Sequence, residues 1–379
     1  MMIKPPATPK VLHLHSTFAA GGKELRAVGL MNAFGDALEH TIVSGQPDHL
    51  QARAHIDAAV IADFPDDFPS LTGRPTPGRL AAIAKAMKPF DLVLTYNWGA
   101  MDAVLAHRVF AKVMGLPALI HHEDGFNEDE AGGLKKSRNW MRQLALQNAH
   151  KLVVPSSVLE NIALRIWKQP AQKVHRIVNG IDTLAFSRRP KPTALPIKKG
   201  EDEIWIGTLA GLRGVKQLTL LVESCAAITE DWRLVILGEG PERAAIEAKA
   251  CSLGVENRVH LPGAHKEPAK VIGLFDIFAL SSKSEQFPLS VVEAMAASLP
   301  VAAPDVGDVK AMVSVANQPF IVPSGRAGTL GEVLADLASN DSLRREVGAR
   351  NREKAQAHFD AQTMIETYRE LYWGAMKKT

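Results

Sequence analysis

Short apolar runs alternate with longer amphipathic stretches along almost the whole chain of 379 residues. The runs lie at 11–15, 40–45, 91–96, 118–122 and 151–156 in the first half, and at 203–210, 233–238, 258–263, 277–282 and 300–305 in the second. Continuous apolar strands followed by helical patterns are typical of parallel sheets that helices cover on both faces. Two such series predict an α/β protein with two doubly wound domains, each with its site at the carboxyl ends of its strands.

The stretch 185–200 separates the two series. It contains three prolines and five basic residues, and prolines at that density forbid regular structure and suit an exposed linker. We therefore predict an N-terminal domain over 1–184, a linker over 185–200 and a C-terminal domain over 201–357. The remaining stretch, about 358–379, has a helical pattern with an aromatic end, and we expect this helix to pack back on the N-terminal domain.

The composition excludes several classes of protein. The chain is 46% hydrophobic and 22% charged, which is ordinary for a globular protein, and its formal charge of +3 is too small to indicate nucleic-acid binding. Two cysteines are too few for a disulfide framework or a cysteine-rich metal site. No apolar stretch approaches the ~18 residues of a spanning helix. We expect a cytoplasmic protein, and an alternative location is the inner face of the membrane.

Two glycine-containing turns follow apolar runs. Gly21 and Gly22 would let the backbone approach a ligand closely, with the next N–H groups free to meet an anion, although a plain tight turn is the simpler explanation of the pair alone. Gly238 begins a Gly-x-Gly turn in which Pro241 is well placed as the first helical residue. Arg243 stands where a dinucleotide site needs a third small residue, so we expect this turn to lie beside a ligand without clamping a dinucleotide.

Polar residues follow two other strands. Arg213 and Lys216 lie where a helix begins, and cations there are misplaced unless an anion joins them, so the pair indicates either a phosphate site or two solvated side chains. His121 ends a strand and can donate a hydrogen bond or carry charge, although a histidine in that position is often structural. The following acidic run, 128–130, is interpreted as a solvated loop, and the spacing of the histidines and acids does not indicate a metal site.

The region 134–151 contains five basic residues and no acid. Its helical pattern has an apolar side that includes Met141 and Ala145, with Trp140 near the edge. A peripheral contact with anionic lipid is one interpretation, and an ordinary solvated basic helix face is the other.

The stretch SEQFPLSVVEAMA begins at Ser284 and places Glu285 and Glu293 on either side of an expected helix start at Pro288. Glu293 lies five residues beyond Pro288, which is about 7–8 Å along a helix. A nucleoside diphosphate has that reach, with the diphosphate at the helix end, the ribose at Glu293 and a sugar at Glu285. The N–H groups expected to face the shared anion position are those near Phe287, Leu289 and Ser290.

Together these segments resemble the retaining, nucleotide-sugar-dependent glycosyltransferases of family 4, whose GT-B fold has two Rossmann-like domains that face a central cleft. EQFPLSVVE matches the E-x7-E signature of that family, and AAGGKE, IVNGID (177–182) and RLVILGEGPE match its other landmarks in the expected order. The resemblance implies a metal-independent hexosyltransferase without a cofactor. Its donor would be a nucleotide-diphosphate sugar, with a UDP-sugar favoured, and its acceptor a saccharide or a lipid-linked molecule in cell-surface polysaccharide biosynthesis.

The resemblance also implies roles for matched residues. Glu293 would hold the ribose hydroxyls, Glu285 the sugar hydroxyls and Lys216 the leaving diphosphate, while His121 would contact the sugar near its reacting carbon. The implied catalytic residues are His121, Lys216 and Glu285. The implied donor-binding residues are Gly21, Gly22, Arg213, Lys216, Gly238, Glu285, Phe287, Pro288, Leu289 and Glu293.

Two positions depart from the family pattern. Gly211 stands where an arginine is usual, and Arg213 lies close enough to substitute for it; if it does not, the chain is a catalytically silent sugar-nucleotide-binding subunit. Gln286 replaces a common glycine beside the expected donor sugar.

Overall fold

The computed structural model describes residues 7–126, 130 and 133–377. The chain divides into two compact units, of which the first comprises Met1–Val178 and Met364–Thr379 and the second Asn179–Thr363. The proline-rich segment 185–200 therefore lies within the second unit. It contains the end of a short helix, Thr183–Phe186, and one 3-10 turn at Pro192–Ala194.

The first unit contains a sheet of parallel strands with the spatial order β3-β2-β1-β4-β5-β6-β7 in the described part of the chain. The strands are β1 (Lys10–His15), β2 (Glu39–Ser44), β3 (Ile61–Asp63), β4 (Leu92–Tyr96), β5 (Ala118–His122), β6 (Lys151–Val154) and β7 (Val174–Arg176). The chain proceeds outwards from β1 in one direction and then from β4 in the other. The loops after β1 and β4 therefore flank the point where ligands bind in sheets of this kind.

Helices cover both faces of this first sheet. The helices are α1 (Gly22–Phe34), α2 (Pro77–Met87), α3 (Met101–Met114), α4 (Lys136–Ala145), α5 (Ser157–Arg165) and the last helix of the chain, α13 (Ala361–Met376). Side chains of α1 and α13 pack on one face, where Phe34 contacts Tyr372, and those of α2, α3 and α5 pack on the other. Both cores are built from alternate residues of the same strands, since Val11 belongs to one and Leu12 to the other.

The second unit contains a sheet of parallel strands with the order β10-β9-β8-β11-β12-β13 among the described residues. The strands are β8 (Ile204–Leu209), β9 (Trp232–Leu237), β10 (Val259–Gly263), β11 (Ile277–Ala279), β12 (Val301–Pro304) and β13 (Ile321–Val322). The helices are α6 (Thr183–Phe186), α7 (Leu218–Cys225), α8 (Arg243–Ser252), α9 (Leu289–Ala296), α10 (Val309–Met312), α11 (Ala327–Ser339) and α12 (Asp341–His358). The strand order reverses between β8 and β11, so their loops flank the expected ligand position.

Every apolar run in the sequence forms a strand, and the ends of each strand differ from the prediction by at most three residues. The prediction missed β3, β7 and β13, which are edge strands of two or three residues and too short for a legible pattern. The expected helix start at Pro241 is wrong. Helix α8 begins at Arg243, because Pro241 and Glu242 form a turn in which the Glu242 N–H donates to the Leu212 carbonyl oxygen. Among the described residues, no helix combines the length and apolar character needed to cross a bilayer.

Candidate donor-binding site

The loops after β8 and β11 bring Lys216 and Glu285 together. Lys216 Nζ lies 2.5 Å from Glu285 Oε1, and both side chains are mostly shielded from solvent. The Ser281 hydroxyl donates to the Lys216 carbonyl oxygen at 2.8 Å, and the Lys283 N–H donates to the Val215 carbonyl oxygen at 2.8 Å. These bonds fix the two loops side by side, so the ion pair forms at the strand-order reversal of the second sheet.

Helix α9 begins directly after this loop. Its N-cap is Pro288, which supplies no side-chain cap and no N–H, and both Phe287 and Pro288 are buried. The N–H groups of Leu289 and Ser290 have no hydrogen-bond acceptor among the residues that the structure describes. Such unpaired donors at a helix start, with the positive end of the helix dipole, attract an anion.

Glu293 lies one turn further along α9. The side chain is partly buried, and within the described chain it forms no hydrogen bond or ion pair. Burial raises the pKa of its carboxyl from the ordinary 4.5 to about 7. A carboxylate held in this way is ready to accept hydrogen bonds from a ligand, and vicinal hydroxyls are donors of the right kind.

The Gly238 turn serves the packing of two loops. A Cβ atom at Gly238 would stand 1.8 Å from the Ala210 carbonyl oxygen, and one at Gly240 would stand 2.4 Å from that of Leu212. The Leu212 N–H donates to the Glu239 carbonyl oxygen at 3.0 Å, which joins the loop after β8 to the loop after β9. The glycines thus position the loop that carries Arg213 and Lys216.

Arg213 is exposed and forms no ion pair with any described residue. Its Nε lies 3.4 Å from the point where a Cβ of Gly211 would stand. The Arg213 guanidinium therefore contacts the position that the Cβ atom of an arginine at residue 211 would occupy.

In the first unit, the loop after β1 ends at the start of α1. Gly21 is the N-cap and Gly22 the first helical residue. A Cβ at Gly21 would lie 2.8 Å from Glu24 Oε2, so the glycine leaves room for this buried carboxylate to fold back towards the helix start, where it pairs with Lys23. A carboxylate of the chain itself thus lies close to the expected anion position.

His121 is completely buried beneath the helices of the first sheet. Its Nδ1 lies 2.8 Å from the Thr95 hydroxyl, and its Nε2 lies 3.7 Å from Glu123 Oε2. The next histidine points to the opposite face, where His122 Nε2 lies 3.0 Å from the hydroxyl of Tyr372. The structure therefore places neither imidazole at the solvent-facing end of β5.

The partly exposed polar group after β5 is Asp124, which sequence reasoning missed. Arg26 of α1 binds both of its carboxylate oxygens, with 2.9 Å between Arg26 Nη2 and Asp124 Oδ2. The Asp124 N–H donates to Asn97 Oδ1 at 2.7 Å, and Asn97 has a φ of 53°, which is uncommon for a residue other than glycine. Both Asn97 and Asp124 follow strands, and that position was the one available sequence signal.

Three further imidazoles, those of His13, His15 and His40, are buried with His122 on the side of the sheet covered by α1 and α13. His13 Nε2 lies 3.0 Å from His40 Nδ1, and the His15 ring stacks on Tyr96 with 3.9 Å between ring centroids. Burial lowers the pKa of His13, His15 and His122 well below the ordinary 6.5 and lowers that of His40 to about 4. These rings are neutral core residues at neutral pH.

The expectation of a solvated acidic loop over 128–130 is wrong for Glu130, while residues 128 and 129 lie outside the described residues. Glu130 is buried and accepts from Arg138 Nη1 at 2.9 Å. Arg142 of α4 is also fully buried and donates through Nε to Glu123 Oε2 at 2.9 Å. Two cations of the basic region 134–151 thus point inwards to acids that precede the region in sequence.

Among the described residues, no group of three or more His, Cys, Asp or Glu side chains is arranged to hold a metal ion.

Comparison with known proteins decides the family. A family model described as Glycosyltransferase Family 4 matches residues 20–184, and one described as Glycosyl transferases group 1 matches residues 195–354. The chain belongs to the family 4 glycosyltransferases. Both halves of this glycosyltransferase are thus matched, and the two matches meet within the proline-rich segment, where residues 185–194 belong to neither.

A curated relative and two solved structures agree with this family. The N-acetyl-alpha-D-glucosaminyl L-malate synthase of Bacillus anthracis is 25% identical over 282 residues, which cover 73% of this chain and 72% of the relative. The structure of Anabaena Alr3699/HepE in complex with UDP has a TM-score of 0.79 at 17% identity and covers 96% of this chain and 100% of that one. The lipopolysaccharide outer core galactosyltransferase WaaB has a TM-score of 0.70 at 16% identity, with coverages of 96% and 99%. The predicted GT-B fold is confirmed.

Proposed function

We propose that this glycosyltransferase moves a hexosyl group from a nucleotide-diphosphate sugar to a saccharide or lipid-linked acceptor with retention of anomeric configuration. The observation that carries the proposal is the series of groups along one edge of the second unit. An ion-paired lysine and glutamate, two unpaired helix N–H groups and an unpartnered carboxylate follow one another from Lys216 to Glu293. These groups match a sugar, a diphosphate and a ribose in turn.

Donor binding would change the partner of Lys216. In the ligand-free protein its ammonium group is neutralised by Glu285. The diphosphate, at the start of α9 beside the N–H groups of Leu289 and Ser290, offers two negative charges to the same ammonium group. Transfer of Lys216 to the phosphate frees the Glu285 carboxylate to accept hydrogen bonds from sugar hydroxyls.

Leaving-group stabilisation then needs no metal. As the bond between the sugar and the phosphate breaks, negative charge develops on the departing diphosphate, and a fixed ammonium group with helix N–H donors stabilises it. Arg213, exposed beside Gly211, would supply a second cation. Retention would follow from a front-face displacement, in which the acceptor approaches on the side that the diphosphate leaves.

The identity of the donor depends on which nucleotide and which sugar the site accepts. A UDP-sugar is favoured, and the Anabaena structure contains UDP. Beside the expected sugar position, the side-chain oxygen of Gln286 is buried without a hydrogen-bond partner among the described residues. This oxygen is available to accept from a sugar hydroxyl, so Gln286 would select among donor sugars.

The proposed setting is cell-surface polysaccharide biosynthesis, and the galactosyltransferase neighbour is named for the lipopolysaccharide outer core. The proposed location is the cytoplasmic side of the membrane. A lipid-linked acceptor would require the peripheral membrane contact that was expected from the basic region 134–151.

Thermal-shift screening against UDP-, GDP- and ADP-sugars, followed by transfer and donor-hydrolysis assays with and without EDTA, tests this function. We expect one nucleotide to stabilise the protein, and turnover that EDTA does not abolish. Donor binding without turnover across a broad acceptor panel would favour the catalytically silent binding subunit. Turnover with an inverted product would refute the retaining mechanism.

A further inference from the structure

Two helices of the first unit expose large apolar side chains to solvent. Val109 and Val113 of α3 are 52% and 86% exposed, and Trp140 of α4 is 63% exposed. Single exposed apolar residues are common, but three large ones on the outward sides of two neighbouring helices call for an explanation.

The two helices lie side by side. Arg108 Nη2 of α3 donates to Gln147 Oε1, just after α4, at 3.1 Å, and Asn148 Nδ2 donates to the Arg108 carbonyl oxygen at 3.3 Å. Near the other end, the Arg138 guanidinium lies 4.8 Å from the ring centroid of Trp98, which directly precedes α3. The helices therefore run in the same direction, and their outward sides form one continuous surface.

The outward charges on this surface are positive. Lys112 and Lys136 are exposed and Arg108 is partly exposed. The acid carried by α3, Asp102, is bound by Arg79 of α2, and Glu130 is buried against Arg138. The exposed side chains thus combine cations with apolar groups, and the two nearby acids that the structure describes, Asp102 and Glu130, are paired with arginines.

This arrangement corrects the expected position of the lipid contact. The apolar side predicted within 134–151 includes Met141 and Ala145, but Ala145 belongs to the buried core and Met141 packs against it. Trp140 lies on the opposite, solvent-facing side of α4. An apolar surface that could meet lipid therefore requires α3, which lies outside the basic region.

We propose that the outward surface of α3 and α4, comprising Arg108, Val109, Lys112, Val113, Lys136 and Trp140, docks on a bilayer that contains anionic lipid. The valines and the tryptophan would enter the headgroup region, and the cations would contact lipid phosphates. The proposal rests on the proposed function in one respect, since it would bring the enzyme to a lipid-linked acceptor. A protein partner or a second copy of the chain would need acidic groups complementary to these cations, and a bilayer supplies them over any area.

Sedimentation with sucrose-loaded vesicles tests the proposal directly. We expect the full-length protein to bind vesicles with about a third phosphatidylglycerol and not vesicles of phosphatidylcholine alone, and to dissociate as salt rises above about 0.1 M. Lys112→Gln and Lys136→Gln should each weaken partition about fivefold. Val113→Ser should weaken it further, whereas Val315→Ser and Lys266→Gln, which change exposed residues of the second unit, should not.

A second measurement follows Trp140 itself. Brominated lipids should quench wild-type fluorescence on binding, and Trp140→Phe should remove most of that quenching while donor affinity stays unchanged. Equal binding to both kinds of vesicle, or binding that the α3 and α4 variants leave intact, would overturn the proposal. So would a dimer in solution that Val113→Ser dissociates, because the surface would then contact a second copy. Vesicle binding without turnover would contradict the proposed function alone, and turnover without vesicle binding would contradict this surface alone.

Discussion

Replacing Glu293 by glutamine should stabilise the ligand-free protein and weaken nucleotide binding at the same time. The substitution keeps the shape of the side chain and removes a charge that has no partner among the described residues. In the unfolded chain this carboxyl loses its proton near 4.5, whereas in the folded chain it keeps the proton up to about 7. The unfolded state therefore binds fewer protons within this window, and the wild-type free energy of unfolding falls as pH rises through it.

The size of the effect follows from the pKa difference. Each pH unit between the two values is worth about 1.4 kcal/mol, so ionisation of Glu293 costs at most about 3 kcal/mol of stability above pH 7. Because the side chain keeps some contact with solvent, we expect Glu293→Gln to gain about 1–3 kcal/mol at pH 8. For a unit of this size the gain raises the melting temperature by about 3–10 °C. At pH 5, which is only slightly above the pKa of the unfolded carboxyl, the gain should fall to about a quarter of its value at pH 8.

Differential scanning calorimetry at pH 5 and pH 8 measures this gain as the difference between variant and wild type. Isothermal titration at pH 8 measures the loss of nucleotide affinity, which we expect to be about 10–100-fold because a hydrogen-bonded carboxylate is lost. Glu332→Gln, on an exposed face of α11, is the matched control and should change neither quantity. A variant that is equally destabilised at both pH values, or that binds the nucleotide as the wild type does, would refute the reasoning.

Three other perturbations test separate parts of the structure. Lys216→Ala should lower turnover about 10²-fold or more through loss of the charge that stabilises the leaving group, and near-normal turnover, with a large loss in Arg213→Ala, would assign that role to Arg213. Gly238→Ala should destabilise the second unit by about 1–3 kcal/mol or more in chemical denaturation because its Cβ would overlap the Ala210 carbonyl oxygen, whereas Gly214→Ala, with open space around it, should cost much less. Acid should destabilise the first unit below pH 6.5. The buried imidazoles have lowered pKa values and stay neutral in the folded chain, whereas the same imidazoles bind protons in the unfolded chain. For His40, whose pKa falls to about 4, the loss should be about 2 kcal/mol between pH 6.5 and 5, and a thermal melt of His40→Gln should be less sensitive to acid than that of wild type.

Sequence reasoning predicted the two sheets well because strands buried on both faces are continuous apolar runs that end at turns. The family resemblance implied that Lys216 and Glu285 contact the same donor, and in the structure the two side chains form an ion pair where both follow strands at one edge of a parallel sheet. The buried pairing of Arg142 with Glu123 had no such signal. A basic residue in a basic stretch has the same pattern whether it points to solvent or inwards, and its acidic partners lie on a loop and strand end that sequence does not align with it.

The position of His121 likewise shows that a sequence pattern does not determine which way a single side chain points. Successive residues of a strand point to opposite faces, as His121 and His122 do, so a shift of one position changes which polar side chain lies on a given face. The sequence HHED offers four polar side chains in a row, and periodicity alone does not decide which of them faces a ligand. In the structure Asp124 is partly exposed and its partner Arg26 is buried, and a partner 98 residues away is invisible to local patterns.

The ion pair of Lys216 with Glu285 also bears on how an enzyme of this kind ends its catalytic cycle. If Lys216 binds the diphosphate as proposed, transfer of the sugar would leave the Glu285 carboxylate without a hydroxyl partner, beside an ammonium group that still holds the nucleotide. The carboxylate would then compete with the diphosphate for that ammonium group, and the 2.5 Å contact between Lys216 and Glu285 would form again when the nucleotide leaves. Glu285 would thus act late in the cycle as an internal displacing anion, which hastens product release and limits inhibition by accumulated nucleoside diphosphate.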